Sequence, residues 1–219
     1  MRYIALLLAL FTLATPTLAV DLYNSTINGP NAGQNLTYDS YYLAQSINVG
    51  ASTQPMKITD FSIGLYKDAS LPSATYFVQL QGDSGGSPDG NTLATLQGGA
   101  FNSITANTAT AYNGYTGVDQ TYTNGFVLQP GVDYWVVVGT TGTTQPIESM
   151  AILTSTSDVI PNSVQKLNIG GTWYDQNGDF SMVVQATAVP EPSTYVSGLL
   201  GVCAMVLAYR HKRAKACAS

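Results

Sequence analysis

The side chains of this chain that could do chemistry are carboxylates and aromatic rings. Between residues 20 and 188 there is no His and no Cys. A Ser-His-Asp or Cys-His constellation therefore cannot form there, nor can a His- or Cys-ligated zinc site. Two carboxylates would suffice for glycoside hydrolysis. Glu148, however, is the only Glu in that stretch, and most of its Asp residues stand in turn contexts that favour Asp for backbone hydrogen bonding. The expectation is a domain that is not an enzyme. Asp175, Asn177 and Asp179 alternate oxygen ligands in the manner of a calcium loop, but Phe180 stands where such a loop has Gly and the distant Glu is missing. The other reading of the same residues is a hairpin turn at Asn177–Gly178. Asp83 and Asp89 have a similar status. Tyr112, Tyr115, Tyr122, Trp173 and Tyr174 lie in or beside polar, Gly-rich segments. If exposed, such rings would stack on sugar faces; if packed, they would close the edges of the domain. Trp135 sits inside an apolar run and reads as core.

The charge pattern narrows the partners. Residues 20 to 188 carry three lysines, Lys57, Lys67 and Lys166, against twelve acids. A nucleic-acid partner needs a basic face, and this stretch has none to offer. Charged residues make up only 10% of the chain, with Gly, Ser, Thr, Asn, Gln and Tyr in their place. That neutral-polar style suits an exported β protein better than a helical bundle.

The elements that must position these residues are short strands. Phe61, Ile63 and Leu65 alternate with Ser62, Gly64 and Tyr66, within a strand read from Ile58 to Leu65; Tyr76, Val78 and Leu80 alternate with Phe77, Gln79 and Gln81. Residues 134–138, Tyr-Trp-Val-Val-Val, are apolar on both faces and predict a central strand. Phe180, Met182, Val184 and Ala186 predict a closing strand. Turn signals fall between the runs, at Gly82 to Asn91, at Gln129-Pro130-Gly131 and at Asn177-Gly178. The pattern predicts an all-β domain over 20–188: an antiparallel β-sandwich, jelly-roll-like.

Both ends differ from this middle. Arg2 precedes a short apolar run and then Thr17-Leu18-Ala19, which predicts a signal peptide over 1–19 with cleavage between Ala19 and Val20. At the other end, residues 189–194 (Val-Pro-Glu-Pro-Ser-Thr) lead into an uncharged segment, and Arg210, His211, Lys212, Arg213 and Lys215 follow at once. The uncharged segment 193–209 would measure about 25 Å as a helix, near the lower limit for spanning a bilayer. The basic stop at 210–215 would stay cytoplasmic by the positive-inside rule. A transmembrane helix at 193–209 is expected. Cys203 falls within this segment and Cys217 beyond the basic stop.

In this order of motif, span and basic stop, residues 189–219 resemble the PEP-CTERM sorting signal. Val189, Pro190, Glu191 and Pro192 carry the motif, and the basic block carries its end. The resemblance implies handling by an exosortase and delivery, through a membrane-anchored intermediate, to the cell envelope, surface or extracellular matrix of an exopolysaccharide-making Gram-negative bacterium. Such tails also bear an ice-binding label, although nothing in these residues is ice-binding chemistry. A plain, unprocessed anchor is the alternative. Residues 22–187 are similar to choice-of-anchor R type domains, on Leu43 to Ile47, the run from Ile58, Tyr76 to Pro88, Leu93 to Leu96 and Leu128 to Val136. On that resemblance, 102–121 is an extended insertion.

The function expected from the sequence is that of an exported, surface-sorted, non-enzymatic protein of the envelope and exopolysaccharide or biofilm matrix. A carbohydrate-binding module using exposed Tyr and Trp is the second reading, and a glycan hydrolase a distant third. No cofactor is expected apart from the calcium option.

Overall fold

The computed structural model describes residues 19–25, 32–36, 41–67, 75–100, 120–121, 125–142, 150–154, 160, 163–189, 201 and 203–206. Among them fourteen strands follow one another: β1 (Val20–Asn24), β2 (Ala32–Leu36), β3 (Tyr41–Ile47), β4 (Met56–Ile63), β5 (Leu65–Lys67), β6 (Thr75–Asp83), β7 (Pro88–Ala100), β8 (Gln120–Thr121), β9 (Val127–Leu128), β10 (Tyr134–Thr141), β11 (Met150–Thr154), β12 (Gln165–Ile169), β13 (Thr172–Gln176) and β14 (Met182–Ala188). The described residues from 19 to 189 are all-β, as their alternation and turn spacing predict. Every strand pairing is antiparallel.

The strands form three sheets. The largest has six strands in the order β13-β12-β3-β10-β6-β7, which places β10 centrally, as its two-sided apolar run predicts. The second runs β1-β14-β4-β8, with β9 also pairing β4, and the third is β2-β11-β5. One apolar cluster draws on both larger sheets: Leu43, Ile47, Val78, Leu80, Val136 and Val138 from the first, and Ile58, Phe61, Met182, Val184 and Ala186 from the second. Each fully buried large side chain contributes about 1.5–3 kcal/mol relative to exposure. The closing strand β14 begins at Met182, with Phe180 before it in an isolated bridge to Thr154, and Phe180, Met182, Val184 and Ala186 are all at 0% exposure, as the predicted apolar face requires.

Local chemistry corrects three expectations. The run from Ile58 to Leu65 is not one strand. It leaves the second sheet at Gly64, whose N–H donates to Ser181 O (2.9 Å), and Leu65 then pairs with Ile152 in the third sheet. Within β4 the apolar phase slips between Ile58 and Phe61, because a register shift against Gln185–Ala186 inserts one extra residue. That bulge keeps both side chains on the core side. The turn at Asn177–Gly178 joins no hairpin, since β13 and β14 belong to different sheets. The hairpin lies one strand earlier, at Gly170–Gly171, where φ is 59° and 93°. Two consecutive positive φ values favour Gly at both positions.

The predicted ends touch the described residues at few points. Val20, 47% exposed, opens β1. After β14 ends at Ala188, the Val189 N–H donates to Pro55 O (2.9 Å). Of the segment 193–209, residue 201 and residues 203–206 are described and helical, and Cys203 is exposed. Among the described residues no helix is long and apolar enough to cross a membrane. The apolar run before Thr17, the motif from Pro190 to Pro192 and the basic stop from Arg210 to Lys215 lie outside the described residues.

Candidate functional site: a groove across the six-stranded sheet

Side chains alternate across a strand, so the six-stranded sheet has a second face turned away from the shared core. Register fixes what stands there. Trp173 pairs with Asn168, Asn168 with Tyr42, and Phe77 with Gly139, the residue that follows Val138 opposite Leu43. The next rung carries Asp175, Lys166, Ala44, Val137 and Gln79. Beyond it stand Ser46, Trp135 and Gln81.

One rung is therefore mainly aromatic, with a glycine in its middle. A methyl built on Gly139 would stand 2.5 Å from Phe77 Cζ and closer still to Tyr42 Cδ1. The missing side chain lets the two rings meet over the β10 backbone, with centroids 5.6 Å apart and planes tilted by 57°. Trp173, half-buried, packs with these rings against a small cluster of Ala44, Trp135 and Val137. Above this floor lies a cavity of about 610 Å³ whose lining draws on all six strands, from Trp173 on one edge to Pro88 and Asp89 on the other. That volume falls within the roughly 300–1,000 Å³ of small-molecule sites.

The polar groups on this face are mostly amides. Gln79 Oε1 accepts from Thr92 Oγ1 (2.9 Å) and Gln81 Nε2 (3.4 Å). Asn168 lies between Trp173 and Tyr42, its Oδ1 accepting the Gly171 N–H (2.9 Å). Asp89 closes the rim. Burial pushes its carboxyl up, but hydrogen bonds from the Asn91 main chain and side chain and from the Gly82 and Asp89 N–H groups outweigh this and hold it below its ordinary 3.8.

Trp135 is 2% exposed yet does not belong to the main core. Its Nε1 donates to Asp83 Oδ1 (2.8 Å), while Asp83 Oδ2 accepts the Gly86 N–H (3.1 Å). The indole thus ties the centre of the face to the turn that leads to Pro88. Lys166 Nζ lies 6.0 Å from the Trp135 ring centroid and 2.5 Å from Asp175 Oδ1.

The aromatic candidates from the sequence are divided by this geometry. Trp173 lines the cavity. Its neighbour Tyr174 falls on the opposite face, paired with Leu167 and 50% exposed, so adjacent positions in one strand cannot serve one platform. Tyr112, Tyr115 and Tyr122 lie outside the described residues. Tyr42 and Phe77 were missed because each sits in an alternating run that reads simply as strand. The signal was available in that alternation: an aromatic at the out-facing position of a strand whose other face is already apolar.

The calcium candidates also separate. Asp175 is exposed on β13 and pairs with Lys166. Asp179 is fully buried, accepting the Ile160 N–H (2.9 Å) at Oδ2 and the Ser163 hydroxyl at Oδ1. The Asn177 and Gly178 carbonyls accept from the Gln165 amide (2.9 and 3.2 Å) once that amide is oriented to satisfy its neighbours. Among the described residues no three acidic, His or Cys side chains are grouped to hold a metal ion. Protein-family models and curated proteins give no match to this chain.

Proposed function

We propose that this protein is an exported, non-enzymatic envelope protein whose β domain, a jelly-roll-like sandwich, holds a glycan on the outer face of its six-stranded sheet. The observation that carries the reading is the aromatic rung of Trp173, Tyr42 and Phe77, the last two meeting over Gly139, with amides beside them. Aromatic faces cover the apolar C–H face of a sugar, and amide side chains offer donors and acceptors to its hydroxyls. This turns a matrix role in exopolysaccharide into a physical contact. Binding fits this groove better than hydrolysis does. Among the described residues Asp89 is the one carboxylate in its lining, and both its oxygens are engaged by Asn91 (2.8 and 3.1 Å).

The address rests on the tail's resemblance to the PEP-CTERM signal. On this reading an exosortase processes the tail after the membrane-anchored intermediate forms, and the domain is delivered to the surface or matrix. Glycan-array binding by the full chain, purified in detergent, tests the groove: Trp173→Ala should weaken the signal, and an array silent for the parent protein would sink the reading. Mass mapping of the C-terminus of native material tests the address. A product that retains Ser219 would leave only a plain anchor.

A further inference from the structure

We propose that the groove takes an internal stretch of an uncharged polysaccharide, lying across the strands; this rests on the glycan-binding reading above. The first argument is length. The lining begins on the edge strand β13 and ends on the opposite edge strand β7. Six strands span five inter-strand spacings, or about 24 Å at roughly 4.8 Å each. Trp173 is separated from Tyr42 by one intervening strand, and Tyr42 from Phe77 by another. Tyr42 and Phe77 meet over β10 as one platform, and Trp173 on the edge strand makes a second, so two platforms along one rung meet separate sugars of a chain. The lining thus runs from one edge strand of the sheet to the other, a path that a polymer can follow without presenting an end.

The second argument is charge. Lys166 is the only lysine on this sheet, and it is committed to Asp175 at 2.5 Å. The carboxylate of the lining, Asp89, stays ionised below the ordinary carboxylate range. An acidic glycan would meet negative charge at the rim and no uncommitted cation along the floor. Its charges would lose water without gaining partners, a cost that neutral hydroxyls avoid. Gln79, Gln81 and Asn168 instead present amides, each able both to donate and to accept, which is how hydroxyls are matched.

The test is titration calorimetry on the full chain in detergent with four probes. They are glucose, a panel of neutral hexasaccharides (gluco-, manno- and xylo-), the same panel blocked at both ends, and hexameric oligouronates. The expected result is that a neutral hexasaccharide binds at least about tenfold more tightly than glucose. End-blocking should leave that affinity unchanged, salt should hardly affect it, and the oligouronates should give no heat. Trp173→Ala should weaken the neutral hexasaccharide about tenfold. Oligouronates binding as well as neutral chains, a monosaccharide binding as well as a hexamer, or loss on end-blocking would each overturn this proposal while leaving glycan binding intact. If no probe of any class binds, the glycan-binding reading itself fails, and this inference with it.

Discussion

The two faces of the six-stranded sheet are made by the same strands, and their contrast shows how one alternation is put to two uses. On the inner face Leu43, Val78, Leu80, Val136 and Val138 are closed by the second sheet, and none is more than trivially exposed. On the outer face Tyr42, Phe77 and Trp173 are only half-buried, and no second sheet covers them among the described residues. Mainly aliphatic side chains, with Tyr76 and Tyr134 beside them, fill the closed side, where packing density decides stability. Flat rings fill the open side, where a ligand can supply the missing neighbour. Mutations on the two faces should therefore separate folding from binding.

The largest effect belongs to the closed side. Phe180→Ala opens a cavity where Phe180 is fully buried, and should cost about 3–5 kcal/mol in denaturant unfolding. Affinity per folded molecule should stay unchanged. If binding fell as well, the two faces would not be independent.

Next comes the buried polar end of the same region. Asp179→Ala strips the Ile160 N–H and the Ser163 hydroxyl of an acceptor, and should cost about 1.5–3 kcal/mol. Calcium sharpens this case: chelation should leave the parent's melting temperature unmoved, because Asp179 is held by protein donors. A chelator-induced drop would restore the metal reading of Asp175, Asn177 and Asp179.

Gly139→Val straddles the comparison. Its branched side chain would occupy the place where Tyr42 and Phe77 meet, costing about 1–3 kcal/mol and displacing the platform at once. Stability and affinity should fall together in this variant alone. Trp173→Ala is the opposite case, with unfolding free energy shifted by less than about 1 kcal/mol while affinity falls about tenfold.

The smallest effect is that of pH at the rim. The Asp89 carboxyl is held below its ordinary value in the folded state, so its contribution to stability is complete above that value and lost as pH falls through the folded one. Stability should dip on acidification below about pH 4, and Asp89→Asn should remove that component from the acid titration.

Periodicity and turn chemistry in the sequence were enough to establish the all-β class, the central place of residues 134–138 and the apolar face of the closing strand. These depend on side chains alternating every second residue and on a few residue types breaking the run. Partnership is another matter. Whether Asn177–Gly178 closed a hairpin, whether Ile58 to Leu65 remained one strand, and whether Trp135 faced the main core or the outer face of its own sheet all turned on which distant strand lay alongside. No local pattern records that choice. The candidate groove shows the same division: Trp173 was visible as an aromatic beside turn residues, but its company was not. Tyr42, Phe77 and Gly139 lie far apart in the chain and come together only through the register of β3, β6 and β10, which the packing of the whole sheet decides.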